Sequence, residues 1–157
     1  MRGARSLAAG ALLALLTLLA GPAAGQSIPV HGNWCGPGYS GANAPYPAPP
    51  TDALDAACMR HDLCKGARGP FDCGCDIGFM REVRATPWPN PGLASKARAL
   101  YEAIGLTPCA SPQGQAVKMG LVAGDWADGV ATGREAPWEI LNRLSRLGAY
   151  GLSRARP

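Results

Sequence analysis

Asp55 to Cys64 reads Asp-Ala-Ala-Cys-Met-Arg-His-Asp-Leu-Cys. It sets a histidine beside an aspartate, with a cysteine three residues before the histidine and another three after it. An imidazole with an ordinary pKa of about 6.5 is a competent base near neutral pH. A carboxylate is a hard oxygen ligand of the kind Ca²⁺ takes. On a helix, residues three and four apart share a face, so Cys58 lies one turn below both His61 and Asp62. His61 and Asp62 themselves point about 100° apart. A base and a metal ligand therefore sit side by side and serve different partners.

Upstream, His31 to Gly41 reads His-Gly-Asn-Trp-Cys-Gly-Pro-Gly-Tyr-Ser-Gly. Its glycines and proline suit a tight loop that exposes backbone carbonyls. If Cys35 bonds to Cys58, the Cα–Cα span of about 5.5 Å holds Trp34–Gly38 against the helix one turn below Asp62. The carbonyls of Trp34, Gly36 and Gly38 would then converge on the Asp62 carboxylate. Calcium takes about six to eight oxygens, so positions remain for water and a substrate oxygen, as a Lewis-acid site requires. The imidazole also needs a partner on its second nitrogen, and Asp76 in Cys73-Gly74-Cys75-Asp76 is the candidate. If two antiparallel helices are joined by Cys64 and Cys75, Asp76 lies beside the His61 turn. Base, orienting carboxylate and metal make a water-activating hydrolase site with no side-chain nucleophile.

These residues resemble the secreted phospholipases A2. Asp55–Cys64 looks like that family's Cys-Cys-x-x-His-Asp-x-Cys helix, Trp34-Cys35-Gly36-Pro37-Gly38 like its calcium loop, and Cys73-Gly74-Cys75-Asp76 like the Cys-x-Cys-Asp of its second catalytic helix. The Trp-Cys-Gly start, the Cys-x-Cys-Asp and the lone later cysteine look most like the bee-venom branch. The resemblance covers roughly residues 32–109. It implies hydrolysis of the sn-2 acyl ester of glycerophospholipids at a membrane or micelle surface. His61 would be the general base and Asp76 would orient it. Asp62 and the carbonyls of Trp34, Gly36 and Gly38 would hold Ca²⁺, and the Gly36 amide would help stabilise the oxyanion. The implied disulfides are Cys35–Cys58, Cys64–Cys75 and Cys73–Cys109. Ala57 stands where the family has the first cysteine of its pair, and Lys65 where a tyrosine often follows the helix cysteine.

The elements that must position these groups read as all-α. Thr51 or Asp52 caps a helix running to about Lys65, and Gly66–Pro70 is a turn. A second helix runs from Phe71 to Ala85, and a third from Leu93 to Ile104, ended by Gly105. Gln115–Ala127 is weakly helical, its Gly120 and Gly124 counting against it. Pro137 starts a helix in which Trp138, Leu141, Leu144 and Leu147 recur at helical spacing with arginines between them, packed on the domain. Residues Gly148–Pro157 read as frayed. The expected architecture is a phospholipase A2-like fold with two antiparallel core helices, a calcium-binding loop and additional C-terminal helices.

Arg2 and Arg5, the apolar run Leu7–Ala20 and the small residues Ala23-Ala24-Gly25 read as a secretory signal over residues 1–25. That run falls short of the roughly 20 residues of a spanning helix, and no later stretch is a transmembrane candidate. Residues 26–112 then form the catalytic domain and 113–157 a helical extension with no assigned role. The two signal arginines are among fifteen basic side chains, so the remainder carries thirteen basic against eleven acidic residues. That balance gives no case for nucleic acid. Six cysteines in a small chain with a secretory leader argue for three disulfides and a secreted location, extracellular or periplasmic. The same setting opposes a zinc site built from Cys58, His61, Cys64, Cys73 and Cys75. Gly36–Gly41 fits GxGxxG, but no strand precedes it and no helix follows. The competing reading is a non-enzymatic membrane- or protein-binding module on the same scaffold.

Overall fold

Asp52 ends the proline-rich run and starts the first helix. Its backbone is extended, and its side chain accepts hydrogen bonds from the amides of Leu54 and Asp55, which are otherwise left without partners at a helix start. The structure is a computed structural model that describes residues 27–40 and 48–155. The signal reading of residues 1–25 and most of the proline-rich stretch lie outside the described residues.

Five α-helices follow: α1 (Ala53–Arg68), α2 (Cys73–Ala85), α3 (Pro91–Leu106), α4 (Pro112–Ala131) and α5 (Glu139–Arg154). Asp72, Asn90 and Ser111 cap α2, α3 and α4 with their side chains, and Pro91 and Pro112 open α3 and α4, where a missing N–H costs nothing. Among the described residues there is no strand, only an isolated bridge between His31 and Cys35. The fold is all-α and disulfide-linked, with Cys35 bonded to Cys58, Cys64 to Cys75 and Cys73 to Cys109.

Three helix ends differ from the sequence reading. Gly66 lies inside α1, which continues to Arg68, where Gly69 donates its amide to the Lys65 carbonyl. Gly105 lies inside α3: a Cβ there would come within 2.3 Å of Val122 Cγ2, so the glycine permits close packing of α4 and does not end the helix. Residues 148–154 are helical, not frayed. The stretch from Gln115, weak in sequence, belongs to a helix of 20 residues.

α1 and α2 run antiparallel, because Cys64–Cys75, His61–Asp76 and Arg60–Glu82 pair residues in opposite chain order. α2 packs on α3, and α3 packs also on α4 and α5. Their shared core contains Leu54, Phe79, Met80, Leu100, Tyr101 and Val122, all buried. Fully burying a side chain such as Leu54 contributes roughly 1.5–3 kcal/mol. α5 presents Ile140 and Leu147 to this core, while Trp138 and Leu141 are exposed. The buried seam is therefore shifted around the helix from the stripe the sequence suggested.

Candidate active site

The loop before α1 is held from three sides. Its Cys35 and Pro37 carbonyls accept from the amides of Val30, His31 and Ile28. Cys35 is bonded to Cys58 with a Cα–Cα distance of 5.2 Å. The third hold was not foreseen. Asp55, fully buried on the first turn of α1, accepts from the amides of Asn33 (2.9 Å), Trp34 (2.8 Å) and Thr51 (2.8 Å). Hydrogen bonds to a carboxylate are among the stronger ones. Gly32 has φ +53°, and a Cβ there would lie 2.2 Å from Asp55 Cγ, so the loop closes on this carboxylate only with glycine. Asp55 shares the loop-facing side of the helix with Cys58, three residues on, which is the signal that could have found it.

His61 Nε2 lies 2.8 Å from Asp76 Oδ1. An ionised carboxylate only accepts, so in the neutral ring the proton sits on Nε2 and Nδ1 keeps its lone pair. Nδ1 lies 3.8 Å from Asp62 Oδ1, too far for a hydrogen bond. Burial disfavours the imidazolium, but Asp62 and Asp76 outweigh it and raise the pKa of His61. Phe79 flanks the ring with centroids 5.3 Å apart.

Two lysines complete the Asp76 surroundings. Lys65 Nζ is 2.7 Å from Oδ1, and Lys118 Nζ is 2.5 Å from Oδ2. Lys118 is fully buried and also donates to the Thr107 carbonyl at 2.6 Å. Burial pushes Asp76 up, yet hydrogen bonds from His61, Lys118 and Lys65 hold it well below the usual carboxylate range. Lys65, noted in sequence only as a missing tyrosine, thus takes a place on Asp76. Lys118 carries no sequence signal: it is one lysine in a glycine-broken helix pattern.

His61, Asp62 and Lys65 form the polar end of a cavity of about 650 Å³. The loop residues Trp34, Gly36 and Gly38 line the same cavity, so all the proposed calcium ligands border it. The rest is mostly apolar, from Ile28 and Val30 ahead of the loop, Leu100 and Ile104 on α3, and Leu144, Leu147 and Leu152 on α5. Asp62 Oδ2 is buried without a hydrogen-bond partner. Such an orphaned carboxylate oxygen is costly, and a bound cation would satisfy it. Among the described residues no three His, Cys, Asp or Glu side chains gather as a metal cluster. A cation here would draw on one carboxylate and backbone oxygens, the hard donors that suit Ca²⁺. No cysteine is free, which removes the zinc alternative.

A small, helical, disulfide-linked domain with a His–Asp pair at the end of an apolar cavity has a phospholipase A2-like architecture. No family model and no solved structure matches the chain. Among curated proteins, phospholipase A2-gamma of Arabidopsis thaliana is 42% identical over 53 residues, 34% of this chain and 27% of the relative. That likeness supports the phospholipase A2 resemblance in its wider form; it does not support the bee-venom branch. Among the described residues, no helix is long and apolar enough to cross a membrane.

Proposed function

We propose that the chain is a secreted, calcium-dependent phospholipase A2 that hydrolyses the sn-2 acyl ester of glycerophospholipids. The observation that carries this reading is the His61 ring, tied to Asp76 by Nε2 and with Nδ1 beside Asp62, at the polar end of an apolar cavity. His61 Nδ1 takes a proton from a water molecule as its oxygen attacks the ester carbonyl. Asp76 fixes the ring's tautomer and steadies the imidazolium that forms. The Gly36 amide donates to the developing oxyanion. Asp62 and the carbonyls of Trp34, Gly36 and Gly38 would hold Ca²⁺, which when bound would supply Lewis-acid stabilisation of that charge. His61 then returns its proton to the departing glycerol oxygen, leaving a fatty acid and a lysophospholipid.

Three disulfides favour an oxidising, extracytoplasmic compartment. Because Lys118 and the α5 leucines lie at this site, the working unit extends past residue 112. The test is His61→Gln on mixed phospholipid micelles, where hydrolysis should fall by about 10²–10⁴, beside the unaltered chain with and without a calcium chelator. Hydrolysis that survives either treatment defeats the mechanism. Calcium-independent binding to the micelles without any hydrolysis would favour the binding-module reading instead.

A further inference from the structure

All eleven acidic side chains of this protein lie within the described residues, and they pair with most of its lysines and arginines. Among the described residues, Arg81, Lys96 and Arg154 have no Asp or Glu oxygen within 4 Å. Arg81 stands alone on α2. Lys96 and Arg154 meet on one ring. Lys96 Nζ lies 4.3 Å from the centre of the Tyr150 ring and 3.4 Å from His31 Nδ1. Arg154 lies 5.4 Å from the same ring and donates to the Tyr150 hydroxyl at 2.8 Å. None of these contacts brings a carboxylate, and a cation–π contact answers only part of a charge.

A cavity of about 200 Å³ opens beside that ring, between α3 and α5. Lys96, Arg143, Arg146, Ser95 and Tyr150 line it, and no Asp or Glu does. The charged cleft beside Trp88 is different: there Asp125, Asp128 and Glu135 answer Arg84, Arg98 and Arg134. Arg143 is engaged by Glu102 and Glu135. Arg146 gives one nitrogen to Glu139 and keeps further donors of its fork. The Tyr150 hydroxyl accepts from Arg154 and can donate in turn. A guanidinium on one helix, an ammonium on the other and two hydroxyls suit an oxyanion with more oxygens than the two of a carboxylate. Water occupies about 30 Å³ in the liquid, so the cavity has room for a phosphate group.

We propose that Lys96 and Arg146, with Ser95 and Tyr150, form a phosphate-binding site between α3 and α5, distinct from the His61 centre. The ligand is the phosphate group, free or carried on a lipid headgroup. Leu147 lines both this cavity and the His61 cavity, so a phosphate seated here would lie across one wall of α5 from the candidate active site.

The test uses the full chain in calcium-free buffer, which keeps inorganic phosphate from precipitating with calcium. Phosphate titrated into isotope-labelled protein should give saturable NMR shifts at the amides of Ser95, Lys96 and Tyr150. Lys96→Gln and Arg146→Gln should each weaken binding about tenfold, since hydrogen bonds to charged groups are the stronger class. Arg81→Gln removes the same charge away from the cavity, and salt screening should hold its effect within about twofold. The Arg146 side chain is 60% exposed, so Arg146→Gln keeps the fold and reads the site even where Lys96→Gln does not. No saturation at those amides, or equal weakening by Arg81→Gln, overturns the proposal. Sedimentation with phosphatidylcholine vesicles, with and without phosphatidic acid, identifies the source. Phosphatidic acid that recruits the parent more strongly than Arg146→Gln assigns the site to a lipid headgroup; equal recruitment, with phosphate saturating the site, assigns it to free phosphate. Neither readout involves hydrolysis, so the site stands or falls apart from the hydrolase reading.

Discussion

Asp76 on α2 and Glu102 on α3 are both withdrawn from solvent, and each is flanked by two cations: Lys65 and Lys118 on Asp76, Arg98 and Arg143 on Glu102. Each net also fastens a late helix to the core, α4 through Lys118 and α5 through Arg143. The difference lies in the shape of the cations. Guanidinium forks occupy a carboxylate with paired donors, and Arg143 takes both oxygens of Glu102. Lysine ammoniums are point charges, and Asp76 Oδ1 accepts from Lys65 and still receives His61 Nε2. Arginines make a closed clamp; lysines leave the carboxylate a contact to spare for an imidazole that opens on a cavity.

Removing each carboxylate separates the two roles. Asp76→Ala strands a buried ammonium and should cost about 3–5 kcal/mol. Glu102→Ala strands a buried guanidinium and should cost a similar amount. Urea denaturation reads both. Ester hydrolysis per folded molecule should fall about a hundredfold or more in Asp76→Ala and stay within a few-fold in Glu102→Ala. Equal losses of hydrolysis would erase the distinction between clamp and orienting group.

A third buried carboxylate, Asp55, has no cation partner among the described residues and is served by backbone amides and the Thr51 hydroxyl. It is tested from the glycine side. Gly32→Ala brings a methyl into Asp55 and an unfavourable φ, and should cost about 1–3 kcal/mol for the backbone alone. It should also weaken calcium activation by displacing the loop, while leaving the Asp76 net intact. Titration calorimetry with calcium on the variant checks this; parent-like affinity would show that Asp55 does not hold the loop in its working shape.

The motif-bearing half was legible because its motifs resemble those of a known family, and the disulfide pairing, with links spanning up to 36 residues, came with that resemblance. Cys58, His61, Asp62 and Cys64 follow from helix geometry, and Asp52 announces its helix by type. What escaped depends on partners far along the chain. Nothing in the sequence marks Lys118 or Arg143 as buried, since their partners Asp76 and Glu102 arrive from other helices. Gly66 and Gly105 read as stops, since glycine is a poor helix former. Tertiary packing against Val122 decides the case at Gly105; Gly66 meets nothing within 4 Å, and the structure offers no packing reason for it. The α5 stripe was visible as spacing, but its rotation was not: only contact with the core selects Ile140 and Leu147 over Trp138 and Leu141.

Acid should undo the lysine-bound carboxylate in a defined direction. Asp76 has its folded pKa depressed, so the stability it contributes is complete above its unfolded value of about 3.9 and is lost as pH falls through the folded value. Urea midpoints measured from neutral pH downward should therefore decline below about pH 4, and the decline should be shallower in Asp76→Asn. An unchanged slope would mean that other carboxylates carry the acid sensitivity.

The smallest effect is expected on the face of α5 that Arg143 turns away from the core. Trp138 is 63% exposed and Leu141 is 67% exposed. Substitutions at such sites shift stability by within about 0.5 kcal/mol, so Trp138→Ser and Leu141→Ser should leave the urea midpoint near the parent's. Leu147→Ser, on the inward face and lining the cavity, puts a hydroxyl into an apolar wall and should cost clearly more. The contrast sharpens the account of Arg143, because a guanidinium that fixes the rotation of α5 makes two leucines six residues apart unequal. Equal costs at Leu141 and Leu147 would mean that α5 turns freely on the core and that the clamp at Glu102 sets no face.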